Sequence, residues 1–216
     1  MIISIEGAIA VGKTRLINQL RKIMKTENII FIDEPIEYWK DYHGTNTFDL
    51  FYSNPKQNAF AFQNLVLQSM LHRQLPHANA QCIVMERSLN SSLLFINEQY
   101  RDNIINKMQM HILQDWVSIL KTAYPFLKPQ AVILLKKEPT LALEHIKIRN
   151  RPEEANINVK YLERIEEAHE LMYHESPENI ALLTIDCNKT LDKMEWEYQR
   201  VAKWINMVKS QHQQRS

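Results

Sequence analysis

Near the amino end, Gly7-Ala8-Ile9-Ala10-Val11-Gly12-Lys13-Thr14 spaces two glycines, a lysine and a threonine as Gly-x-x-x-x-Gly-Lys-Thr. That spacing lets successive backbone N–H groups curl around a phosphate. Lys13 reaches the β and γ oxygens, and the Thr14 hydroxyl can ligate Mg²⁺. A following helix would add its positive N-terminal dipole. The setting fits, because Ile2-Ile3-Ser4-Ile5 reads as a strand before the loop and an amphipathic helix follows it.

Two further groups carry chemistry. Asp33-Glu34-Pro35-Ile36-Glu37-Tyr38-Trp39 and Glu86-Arg87-Ser88 each follow a short run rich in branched residues. In open parallel sheets, ligands gather at the carboxyl ends of strands. Phosphoryl transfer to an alcohol needs a carboxylate for the hydroxyl proton, a cation for the equatorial oxygens and Mg²⁺ on the nucleotide phosphates. Glu34 suits the base, Arg87 the cation and Glu86 the metal shell. The competing reading makes Glu34-Pro35 a turn and Glu86-Arg87-Ser88 a helix cap. Arg149-Asn150-Arg151-Pro152-Glu153-Glu154 then reads as a lid that brings Arg149 and Arg151 onto the transferring phosphate, or else as a solvated helix end.

These residues need a scaffold. Strands are expected at Ile2–Ile5, Ile29–Ile32, Cys82–Met85, Ala131–Leu135 and Ile180–Ile185, alternating with helices. The pattern argues an α/β chain with a five-stranded parallel sheet flanked by helices. The first helix carries Leu16, Ile17, Leu20, Ile23 and Met24 at core-facing spacing. Others are expected at Lys56–Gln74, Leu89–Glu98, Ile104–Lys121, Leu141–Arg149, Val159–Tyr173 and Met194–Lys209. A single domain over 1–210 is expected, with a frayed polar tail at 211–216.

Composition limits the function. With 26 basic and 25 acidic residues, the net charge of +1 gives no field suited to nucleic acid or a membrane surface. Small substrates are expected. Cys82 and Cys187 read as buried reduced thiols in a cytoplasmic enzyme. No apolar run approaches the ~20 residues that span a bilayer, and Met1 leads directly into the first strand without a transit segment.

Together the chain resembles the deoxyribonucleoside kinases, a family that includes the insect multisubstrate kinase, mitochondrial thymidine kinase, and deoxycytidine and deoxyguanosine kinases. The resemblance covers nearly the whole chain. It rests on the Gly7–Thr14 loop, Glu34–Trp39, Tyr52-Ser53-Asn54-Pro55 with Phe62-Gln63, Glu86-Arg87-Ser88 and Arg149–Glu154. The segment Tyr161–Glu170 is similar to the helix after the family's lid, and Asp186-Cys187-Asn188 to the start of its adenine-contacting loop.

The resemblance implies a P-loop kinase fold with an arginine-bearing lid. It implies Glu34 as base for the 5′-hydroxyl, Arg87 as its partner, and Tyr52 with Glu154 on the sugar 3′-hydroxyl. Gln63 would read the base edge, between Trp39 and Phe62. Val66 and Met70 share one helix face beside Ser92. In purine- and cytosine-preferring relatives, the positions of Met70 and Ser92 resemble an arginine and an aspartate. Their absence favours thymidine, with deoxycytidine second. Ile96 stands where relatives place an aromatic that sandwiches the base, whereas Phe95 lies one residue earlier, about 100° around a helix.

ATP with Mg²⁺, feedback inhibition by thymidine triphosphate and a helix-joined homodimer are also implied. A thymidylate-like monophosphate kinase shares the loop and lid but needs cations for its acceptor phosphate, which Glu154 would repel. A GTPase-like regulatory module is disfavoured, because Asn188-Lys189-Thr190-Leu191-Asp192 places its aspartate one residue late.

Overall fold

A computed structural model describes residues 1–25, 27–174 and 180–214. Five parallel strands, β1 (Ile2–Glu6), β2 (Ile30–Ile32), β3 (Ile83–Glu86), β4 (Ala131–Lys136) and β5 (Ala181–Asp186), lie in the order β2-β3-β1-β4-β5. Every connection between parallel neighbours needs a crossover, and helices supply it. The chain therefore has the α/β, P-loop kinase fold expected of it.

Branched residues drive the central strands into the sheet because both faces are covered. Residues Ile3 and Ile5 of β1 face a large cluster with Leu16, Ile17 and Leu20 of α1 (Lys13–Ile23) and Val201 and Ile205 of α9 (Leu191–Gln213). The opposite face of β1 and β3 carries Ile2, Ile83 and Met85, with Ile32 of β2. A separate cluster is built by α2 (Ile36–Lys40), α3 (Thr47–Ser53), α4 (Pro55–Gln74), α5 (Leu89–Arg101) and α6 (Lys107–Ala123). The remaining helices are α7 (Pro139–Arg149) and α8 (Val159–His174).

The structure departs from expectation in places. Helices α2 and α3 fall where the sequence pattern predicts no element, being too short to complete an amphipathic repeat. Helix α9, with Ile205 and Val208 in the core, continues through Gln213, so the first three residues of the polar tail expected at 211–216 are helical. Residues 215–216 lie outside the described ones. Both cysteines are buried and unpaired. Among the described residues, no helix is long and apolar enough to cross a membrane.

Candidate active site

The phosphate loop joins β1 to α1 at the centre of the sheet. Its backbone turns through positive φ at Gly7 (134°), Ala10 (60°) and Gly12 (114°). A Cβ on Gly7 would lie 2.4 Å from the Leu135 carbonyl oxygen, so that position must be glycine for contact as well as for φ. The buried Lys13 folds back along the loop, and its Nζ donates to the carbonyls of Ala8 (2.7 Å) and Gly7 (3.1 Å). Burial, with Arg87 nearby, pushes its ammonium down to about 8. One residue on, the Thr14 hydroxyl donates to Glu86 across 3.0 Å.

Strand order explains how Glu34 meets Arg87. With β3 between β2 and β1, the ends of all three strands converge on the loop. Arg87 leaves β3 with φ of 63°, a left-handed turn that is costly for a long side chain. Its Nε donates to Glu34 Oε1 at 2.9 Å, and Nη1 donates to the Gly7 carbonyl at 3.2 Å. Burial alone would raise the Glu34 carboxyl, but Arg87, then Lys13, Arg73 and Arg151, hold it below its usual range. Glu86 goes the other way: burial and the Glu34 charge raise it against Lys13, Arg87 and Thr14.

A cavity of about 870 Å³ opens from this point in two directions. Toward α4 it is walled by Phe62, Gln63, Val66 and Met70, whose spacing puts them on one helix face. Trp39 of α2 and Tyr52 and Phe51 of α3 complete that side. The aromatics brace one another: Phe51 stacks on Phe62 with centroids 4.9 Å apart, and the Trp39 indole donates to Ser69 Oγ at 3.1 Å. Gln63 lines the cavity and is buried, and its Oε1 has no hydrogen-bond partner. Ser92 Oγ donates to the Met70 sulfur at 3.4 Å, a weak contact.

One expected wall residue is a correction. Ile96 is fully buried in the cluster with Leu113 and Val117 of α6 and does not line the cavity. The pitch of α5 points Ser92, Phe95 and Gln99 inward instead. Phe51, Gln99 and Tyr161 also line the cavity and were missed from sequence. Gln99 leaves a second buried carboxamide oxygen unpartnered, and its spacing of seven from Ser92 is the signal that would have found it.

At the end of α7, Asn150 adopts φ of 52° and a single 3₁₀ turn, Pro152–Glu154, follows. Arg149 and Arg151 both pair with Glu154, which is buried, the latter at 3.4 Å. Lys40 and the Asn46 amide hold Glu153, tying this segment to α2 and α3. Tyr52, Arg149, Arg151 and Glu154 share the cavity wall, and burial with neighbouring Tyr161 and Glu154 raises the Tyr52 phenol.

The other arm of the cavity runs toward α9. Cys187 and Asn188 line it, beside Lys137, His145, Met194 and Tyr198. Asn188 Oδ1 accepts from the Glu138 N–H at 2.9 Å, and Asp186 Oδ1 accepts from the Asn188 N–H at 2.9 Å. Asp186 itself is exposed and outside the lining, so it shapes the turn. Of the loop, Ile9 through Thr14 face the cavity, while Gly7 and Ala8 present carbonyls to Lys13 and Arg87.

The chain is similar to human deoxycytidine kinase, with 26% identity over 95% of this chain and 91% of that protein. It is also similar to deoxycytidine kinase 1 of Xenopus laevis, with 28% identity over 87% and 82%. Human mitochondrial thymidine kinase 2 is 28% identical over 78% of this chain and 63% of that enzyme. The family model for deoxynucleoside kinase matches residues 3–209. With the phosphate loop, a carboxylate–arginine pair and a polar-lipped pocket on one cavity, the chain belongs to the deoxynucleoside kinase family, whose members phosphorylate nucleosides.

Proposed function

We propose that this enzyme transfers the γ-phosphoryl group of ATP to the 5′-hydroxyl of a deoxyribonucleoside, with thymidine favoured and deoxycytidine second. The observation that carries it is the Glu34–Arg87 pair, 2.9 Å apart where the phosphate loop opens toward the pocket of Gln63. Lys13 and the loop N–H groups hold the donor phosphates. Glu34, kept ionised, accepts the 5′-hydroxyl proton as Arg87 steadies that carboxylate and the 5′-oxygen. Tyr52 and Glu154 orient the 3′-hydroxyl. Closure of the segment 149–154 would turn Arg149 and Arg151 from Glu154 to the transferring group and expel water.

The residues fit a metal: a threonine hydroxyl and a buried carboxylate meet beside the loop. Thr14, with Glu86 behind it, would hold Mg²⁺, which supplies charge neutralisation on the β and γ phosphates. Asp186, Cys187 and Asn188 form the turn assigned to adenine, with Cys187 and Asn188 facing the base.

Both deoxycytidine and thymidine kinases occur among similar proteins, so preference rests on the pocket. The unpartnered Gln63 carboxamide suits a pyrimidine edge, because it offers a donor and an acceptor. Met70, Val66 and Ser92 leave an apolar wall for the thymine methyl group and no ion pair for a purine or cytosine amino group. Thymidine triphosphate filling both arms would inhibit. Met108, Ile112, Trp116 and Ile119 form an exposed stripe on α6, in keeping with a helix-joined homodimer. Two buried free thiols agree with a cytoplasmic enzyme.

ADP release measured with purified protein, ATP, Mg²⁺ and either thymidine or thymidine monophosphate tests the reading. Release with the nucleoside alone is expected. Phosphorylation of the monophosphate alone would overturn it in favour of a thymidylate-type kinase.

A further inference from the structure

Arg87 has two hydrogen bonds along the edges of its guanidinium, to Glu34 and to the Gly7 carbonyl. Both lie in the plane of the group, so they fix where it sits more firmly than how it tilts. Its Cζ lies over the face of the Phe95 ring, 4.8 Å from the centroid. Behind the ring, the buried His169 meets it edge to face, with centroids 6.4 Å apart and planes at 76°. His169 Nδ1 donates to the Ile165 carbonyl at 2.7 Å. Burial and Arg87 push its imidazole down to about 3, so it is neutral and places no second cation behind the ring. A guanidinium taken out of water over an aromatic face is drawn to the ring's negative quadrupole, and more strongly than at an exposed site.

We propose that Phe95 is a positioning residue for phosphoryl transfer: its ring sets the plane of the Arg87 guanidinium, so that Nε stays on Glu34. The aromatic one residue before Ile96 thereby serves the arginine and not the base. Arg87 needs this support because its left-handed backbone directs the side chain inward at a local cost. The proposal rests on the reading that Glu34 and Arg87 act in the transfer.

Two variants and two measurements test it. With ATP and thymidine, Phe95→Leu should lower kcat about 10-fold, about 1.4 kcal/mol, with KM for thymidine within about twofold. Phe95→Tyr, which keeps the ring, should restore most of that loss. A raised KM at unchanged kcat would make Phe95 a wall of the base pocket and overturn the proposal. Equal losses in both variants, or none in Phe95→Leu, would also overturn it.

The second measurement needs no turnover. In ¹⁵N-labelled protein, the Arg87 Nε–H resonance, assigned by its loss in Arg87→Lys, should be displaced by the ring current in wild type and Phe95→Tyr. It should move to the position of an unstacked arginine in Phe95→Leu. A resonance that Phe95→Leu leaves in place overturns the proposal. If wild type phosphorylates no deoxynucleoside, the functional reading fails, while this resonance still decides whether the ring orients Arg87.

Discussion

The Thr14 hydroxyl lies 3.0 Å from each carboxylate oxygen of Glu86, although 72 residues separate them. It joins the start of α1 to the end of β3 at the point assigned to the metal. Glu86→Gln keeps the shape and removes the charge. The Mg²⁺ concentration for half-maximal rate should rise 10- to 100-fold, with KM for thymidine little changed. Titration of Mg²⁺ at fixed ATP checks this, and an unmoved midpoint would leave Glu86 only a structural role.

Glu34→Gln should cut turnover at least ~100-fold while thymidine still binds, as measured by calorimetry. The pH profile carries a sign. The Glu34 carboxyl is held below 4.5, so the proton-accepting form persists at every pH above that and kcat/KM should not fall on its account until more acidic pH. Removing Arg87 leaves the upward push of burial with less opposition. The acid limb of residual activity in Arg87→Ala should therefore move toward neutral pH.

Base choice should follow the two neutral residues joined by a single weak contact, Ser92 and Met70. Met70→Arg combined with Ser92→Asp inserts an ion pair that can hold an amino group. The ratio of kcat/KM for deoxycytidine over thymidine should rise about tenfold or more, given that one charged hydrogen bond is worth about 1.5–3 kcal/mol. A constant ratio would remove these positions from the account of specificity.

Gly7→Ala and Gly12→Ala should differ. At Gly7 the new Cβ meets a carbonyl oxygen at 2.4 Å, whereas at Gly12 nothing lies within 4 Å and only the φ of 114° resists. Backbone strain of this kind costs about 1–3 kcal/mol. Urea unfolding should place Gly12→Ala within that range and Gly7→Ala beyond it.

Much of the scaffold was legible because strands and long helices repeat their pattern: branched runs marked β1, β3 and β4, and α1 showed its apolar face. What escaped was set by tertiary packing. Helices α2 and α3 span 5 and 7 residues, too few for periodicity to show. Phe95 and Ile96 are both apolar, and only the seat of α5 against Leu113 and Val117 decides which one turns to the cavity. Arg149 and Arg151 were visible as cations, but their common partner Glu154 depends on the 3₁₀ turn that folds it back between them.

Among the described residues, five other than glycine hold positive φ, and Ala10, Arg87 and Asn150 are three of them. One lies in the phosphate loop, one carries the guanidinium on Glu34, and one separates α7 from the 3₁₀ turn Pro152–Glu154. Glycine would relax each, yet the chain contains only three glycines and none stands at these positions. The tension sits where atoms must be held still, and the two cores on either side must cover it. Selection for heat tolerance that relieves Ala10 or Asn150 would therefore draw on the rigidity of the reaction centre, so durability and speed compete in this chain at identifiable backbone positions.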